Sequence, residues 1–259
     1  MSTASAELQY IEPVQRGYEV AKVATSAPSD WLRAGLDDFR SAPGLSLLYG
    51  FLFAGATAGV YLLIMNVPWY AIAYLTGLVV LGPFMASGLY AASRDMESGH
   101  PPSINNSLRL LIKRVSHLAL FSVMLSLVMA AWVRLSALLF AVKFNTLNPT
   151  IEAYTSLLSS TEGWITLSYF AAVGLLLMSS VFVISAIAIP MILDKGVDFI
   201  TAMQTSYRAV VNNPGAMLIW ALVIVAMTAV GLATAFIGLA VMFPILGYAT
   251  WHSYRSLVR

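Results

Sequence analysis

The sequence predicts an all-α, polytopic membrane protein of six transmembrane helices, arranged as three helical hairpins with amphipathic surface helices. Three observations carry that prediction. The chain is 59% hydrophobic and only 10% charged, where a soluble domain carries about 25% charged residues. Six apolar stretches separated by short polar connections run to about the 20 residues that a helix needs to cross the hydrocarbon of a bilayer. Finally, Pro83, Tyr90 and Arg94 return near the end of the chain as Pro244, Trp251 and Arg255, at the same spacings of seven and eleven residues. Steps of seven and eleven come back to one helical face within about 20°. Each copy therefore reads as a kinked apolar helix that brings an aromatic and an Arg to a water interface.

In chain order, residues 1–28 are mixed polar sequence with Pro13 and Pro28, expected as a flexible cytoplasmic arm. Residues 29–44 follow as an amphipathic surface helix. Trp31, Leu32, Leu36 and Phe39 share one face, Arg33, Asp37 and Arg40 the other, and Pro43-Gly44 ends it. The six-span membrane domain is expected over 45–258, with spans at Leu45–Met65, Tyr70–Ala92, Val115–Leu135, Trp164–Leu193, Ala216–Ala233 and Ile237–Tyr254. The fourth is too long for one straight crossing and should tilt or bend at Pro190. Further surface helices are expected at Ile104–Ile112 and Asp198–Asn213, with tight turns at Asn66–Trp69 and Thr234–Phe236 and an amphipathic turn at Ile151–Leu158. Segments 30–96 and 198–257 each read as surface helix, Pro-Gly, span, kinked span, Arg. The middle segment, 103–195, keeps the order without the Pro-Gly and the Arg, which suggests a threefold hairpin repeat.

Of the 14 Lys and Arg, all but Arg134 and Lys143 fall on one side of that topology. Positive residues stay on the cytoplasmic side, so both termini are expected there. The first 40 residues have no apolar core like that of a signal peptide, so the first span should direct insertion.

Three stretches resemble a widespread bacterial family: the tail Pro244–Arg255, with the terminal ATWHSYRSL as its most specific piece, the Asp194-Lys195 pair after a long span, and Trp31–Arg40 before Pro43-Gly44. This is a family of predicted six-span integral membrane proteins known only as domain of unknown function 2189. Its members often carry Asp-Arg where this chain has Asp194-Lys195, a departure that keeps the charges. The resemblance covers roughly residues 25–258 and implies a bacterial inner-membrane location and this fold, with no established activity. Some members are loosely labelled as similar to respiratory oxidase subunits, which makes a respiratory complex the first partner class to examine. Nothing in these residues supports an oxidase.

The chemistry the sequence withholds is as informative. The span interiors carry no Asp, Glu or Lys and no central His, and intramembrane ionisable groups normally mark ion pathways. Ion-coupled transport is therefore disfavoured. Cys is absent, the three His have no metal-ligand spacing, and no nucleophile or paired-carboxylate constellation is visible. No cofactor, no metal and no enzymatic activity are expected. A net charge of +2 points away from nucleic acid.

Arg94, Arg255, Trp251, His252 and Asp194 should meet at one depth on the cytoplasmic side. Either Asp194 pairs with an Arg and pins the hairpins together, or Arg94 and Arg255 hold a lipid head group or another anion. Gly55 and Gly59 form a GxxxG in the first span, suited to helix packing or to a partner face. The leading function is a non-enzymatic accessory or scaffold subunit, packing in the bilayer against a larger membrane complex or against itself. The alternative is a transporter or channel for a small neutral or lipid-like solute. Expected partners are membrane lipids and either a membrane-protein complex or a second copy.

Overall fold

A computed structural model describes residues 18–66, 71–144 and 159–259, without the side chains of 66–83, 136, 139–144, 162 and 170. Most of the N-terminal arm and of the turn expected at Asn66–Trp69, and the whole of Ile151–Leu158, lie outside the described residues. Every regular element described is a helix: α1 (Ala27–Ser41), α2 (Pro43–Asn66), α3 (Ala71–Glu97), α4 (Ile104–Phe144), α5 (Thr161–Ser185), α6 (Ala188–Lys195), α7 (Phe199–Asn212), α8 (Pro214–Ala233) and α9 (Leu239–Leu257).

Among the described residues, four segments are long and apolar enough to cross a membrane: Pro43–Met65, Ile104–Leu135, Gly163–Lys195 and Pro214–Ala233. The expectation was six. The sixth expected span, α9, is not among the four, because its second half carries Thr250, His252, Ser253, Tyr254, Arg255 and Ser256. It is packed by α1, α2, α3 and α8, with Tyr248, Ala249, Trp251, Tyr254 and Leu257 buried. A helix walled in by protein can carry hydroxyls, indoles and an imidazole that a lipid-facing helix could not satisfy. The second expected span falls in α3, most of whose apolar side chains are outside the description.

The surface helix expected at Ile104–Ile112 is instead the first turns of α4, which runs unbroken from Ile104 to Phe144. The connecting Ile112-Lys113-Arg114-Val115 has no Pro or Gly to stop it. The long fourth span does break. α5 ends at Ser185, α6 begins at Ala188, and Ile187 between them leaves the helical region with φ −127° and ψ 3°. The Pro190 ring cannot tolerate a helical carbonyl four residues earlier, at Ala186, so the break precedes the proline. Ser206 of α7 repairs it: its hydroxyl donates to the Val183 carbonyl at 2.9 Å and accepts from the Ile187 N–H at 3.4 Å.

The two Pro-Gly junctions share one geometry. Ala42 before Pro43 has φ −136° and ψ 60°, and Asn213 before Pro214 has φ −132° and ψ 50°. Proline pushes the preceding residue out of the α region and then suits the first helical position. In each case a short helix ends and an apolar one starts at once.

The short helices are drawn into the bundle. The face of α1 bearing Trp31 and Gly35 is buried. A Cβ on Gly35 would lie 2.7 Å from the Ala249 amide nitrogen and 2.8 Å from the Ile245 carbonyl oxygen, so only glycine lets α1 approach α9 this closely. Trp31 meets Trp220 of α8 edge-on, with ring centroids 5.7 Å apart. At the crossing of α2 and α9, Gly50 sits on the Ala240 carbonyl, the group that Pro244 leaves without its helical N–H partner. Ahead of α1, residues 19–23 lie beside the C-terminus. Ala21 N–H donates to the Leu257 carbonyl and Arg259 N–H to the Glu19 carbonyl, while the Asn213 amide binds Val23 N–H and the Ala21 carbonyl.

The main core collects Trp31, Leu118, Phe121, Ile187, Met191, Ile192, Met217, Trp220, Trp251 and Tyr254. It lies at the end of the bundle where α1, α6 and α7 close over the long helices.

Candidate functional site

The closed end carries a polar cluster built from α1, α3, α6 and α9. Pro244 and Pro83 place two aromatics and two arginines at equivalent helical positions, as the repeated motif predicts. The aromatics do not form an interfacial belt, however. Tyr90 and Trp251 are 5% and 1% exposed, because the helices packed around α3 and α9 cover them. The arginines remain near the rim.

Asp194, at the C-terminal end of α6, accepts a 2.7 Å hydrogen bond from the Tyr254 hydroxyl on α9. The same carboxylate lies 3.4 Å from Arg94 Nε on α3 and 3.8 Å from Lys195 Nζ. Arg255 Nε donates to Glu97 Oε1 at 3.0 Å, and Trp251 Nε1 donates to Glu97 Oε2 at 3.2 Å. His252 Nε2 lies 2.9 Å from Asp38 Oδ2 on α1, and the Ser93 hydroxyl donates to that same oxygen. All five residues expected to converge here, Arg94, Asp194, Trp251, His252 and Arg255, belong to the cluster.

Sequence reasoning passed over Asp38, Ser93 and Glu97, although a signal was present for the two carboxylates. Asp38 follows Trp31 by seven residues and Glu97 follows Tyr90 by seven. Asp38 thus shares a helical face with Trp31 of the apolar side, and Glu97 with the stripe of Tyr90 and Arg94. A carboxylate on an apolar stripe has to be paired in the fold.

Chemically the arrangement is a clamp. Each cation of the cluster meets a carboxylate, and each carboxylate also takes a neutral donor from a neighbouring helix. Charged hydrogen bonds at a half-exposed rim contribute about 1.5–3 kcal/mol at most, less where solvent screens them. Their geometry fixes how α1, α3, α6 and α9 meet. No group of three or more His, Asp or Glu among the described residues could hold a metal ion.

Gly55 and Gly59 behave unlike Gly50. No described atom lies within 4 Å of a Cβ placed on either. Gly55 is exposed and Gly59 half-buried among the described residues, and Phe51, Leu52, Leu62 and Met65 on the same helix are exposed. An apolar groove of about 340 Å³ opens between α4 and α5, lined by Leu125, Met129, Trp132, Leu177 and Met178 among others.

Four apolar segments of membrane-crossing length and a core closed at one end define a helical integral membrane protein. Residues 70–194 match the family described as predicted integral membrane protein (DUF2189), the same family that the sequence resembles. No curated protein and no solved structure matches the chain.

Proposed function

We propose that this chain is a non-enzymatic membrane subunit that packs laterally in the bilayer against a larger complex or a second copy of itself. The observation that carries this reading is the open face of Gly55 and Gly59 on α2, against which no described atom packs. Lipid tails give helices no hydrophobic reason to associate, so small residues that allow close backbone approach drive pairing in a membrane. Inside the bundle that task falls to Gly35, Gly50 and Gly247. The clamp supports a structural role as well, since its cations are already matched by carboxylates.

In this reading α3 and α9 complete a six-span domain of three hairpins. The clamp and both termini face the cytoplasm of a bacterial cell, and a respiratory complex is the first partner class to examine. The second reading is passage of a lipid-like solute. It draws on the groove between α4 and α5, whose apolar lining suits an acyl chain and offers no path to a polar molecule.

The test is purification from native membranes in mild detergent, followed by mass spectrometry of what migrates with the protein on a native gel. A stoichiometric membrane-protein partner, or a dimer, that is lost on Gly55→Leu with Gly59→Leu supports the subunit reading. A monomer indifferent to both substitutions favours solute passage.

A further inference from the structure

The cations of the clamp are paired, but among the described residues two exposed ones on α4 are not. Arg109 and Lys113 project from the first turns of α4, both are exposed, and neither makes an ion pair or hydrogen bond with any described residue. On a helix, positions 109, 113, 120 and 127 return to one face within about 40°. Leu120 and Leu127 on that face are 52% and 67% exposed, and Val123 beside them is 52% exposed. An exposed apolar row in a membrane-spanning segment is a lipid-facing row. The same stripe of one continuous helix thus passes from bare leucine to bare cation.

Length fixes the level at which the change occurs. α4 has 41 residues, about 60 Å at 1.5 Å per residue, roughly twice the hydrocarbon thickness. Part of it must stand outside the hydrocarbon. Lys113 lies about 10 Å along the axis from Leu120, and Leu120 about 10 Å from Leu127. Leu120–Leu127 fits within one leaflet, and Lys113, with Arg109 one turn further out, stands at head-group level. Arg114 is on a different face, its guanidinium turned in against Gly196.

We infer that Arg109, Lys113, Leu120 and Leu127 form a binding stripe for an anionic phospholipid, with the phosphate between the two cations and an acyl chain along the leucines. The occupant follows from charge: two unmatched positive side chains above a lipid-facing row suit an anionic head group and give a zwitterionic one no advantage. This is independent of the subunit reading, and it moves lipid contact away from Arg94 and Arg255, whose carboxylate partners compete for them.

The experiment uses the full-length protein in detergent, titrated with phosphatidylglycerol and, separately, phosphatidylcholine, with bound lipid counted by native mass spectrometry. A basic residue near an anionic surface is worth about 1 kcal/mol, or about fivefold in affinity. Arg109→Gln with Lys113→Gln should therefore weaken phosphatidylglycerol retention about 25-fold and leave phosphatidylcholine unchanged. Arg33→Gln with Arg40→Gln removes the same charge from exposed α1 positions already paired with Asp30 and Asp37, and should leave both lipids unchanged. Equal loss in the two variants, or none in the first, overturns the proposal. Displacement of phosphatidylglycerol by millimolar inorganic phosphate would also overturn it, by making the site one for free anion. Both variants sit on exposed surface, and an unchanged melting temperature without lipid confirms that each is folded.

Discussion

The closed end of the bundle and the opposite stretches of its long helices both carry large apolar side chains, and they differ in what those side chains touch. At the closed end Leu118, Phe121, Ile187, Met191, Met217 and Trp220 have no solvent exposure at all. Along the remaining lengths Phe51, Leu62, Leu127, Leu175, Leu176 and Leu222 are each more than half exposed. Hydrophobicity alone cannot separate these sets. Lipid is as good a partner for leucine as protein is, so apolar content does not hold the helices together. What distinguishes the closed end is its glycines at helix crossings and its carboxylate-centred hydrogen bonds, which make one arrangement better than its alternatives.

That contrast can be broken most sharply with two glycines on one helix. Gly50→Leu on α2 drives a side chain into the backbone of α9, and overpacking a fixed crossing costs about 1–3 kcal/mol or more. Its melting temperature in detergent should fall by many degrees or the protein should fail to accumulate. Gly55→Leu, in open space on the same helix, should leave the melting temperature within a degree or two. Equal sensitivity at both positions would mean that the open face is not open.

A smaller effect belongs to the clamp. Asp194→Asn keeps the shape but removes the charge that Arg94 and Tyr254 share. A loss of about 1–2 kcal/mol is expected, read as a lower melting temperature that high salt no longer changes. If the variant melts with the wild type, the clamp is decoration and the closed end is held by packing alone.

The smallest is a matter of pH. Asp198 caps α7, accepting from the Thr201 hydroxyl at 2.6 Å and from the Thr201 N–H at 3.0 Å. These bonds hold its carboxyl below the usual carboxylate range. A lowered folded-state value means that the ionised form stabilises the fold. The contribution is complete above the ordinary carboxylate value and disappears as pH falls through the lowered one. Asp198→Asn should lower the melting temperature slightly at neutral pH, and the difference from the wild type should close as pH falls through the lowered value.

The site was legible in an uneven way. Helical spacing alone brought Arg94, Asp194, Trp251, His252 and Arg255 to one level, since a repeated motif at the ends of apolar helices must emerge at similar depth. The acids that answer them were harder to read. Asp38 and Glu97 looked like ordinary members of a polar loop and a surface helix, and their sevenfold offset from Trp31 and Tyr90 matters only once α1 is known to lie on α9. The helix break before Pro190 was legible as a bend, but its repair by Ser206 was not, because Ser206 is far along the chain.

What the sequence determined by itself is the class: helical, membrane-embedded, with short helices ended by Pro-Gly and a repeated Pro–aromatic–Arg stripe. These follow from local rules, namely apolar run length, proline geometry and helical period, which act within a few residues. What only the tertiary structure decided is which apolar surface meets protein and which meets lipid. It buried Tyr90 and Trp251, matched Arg94 and Arg255 with carboxylates, and left Arg109 and Lys113 without an ion pair among the described residues. Contacts between residues a hundred or more positions apart set the ion pairs, and hydropathy cannot rank the apolar surfaces because a membrane rewards both alike.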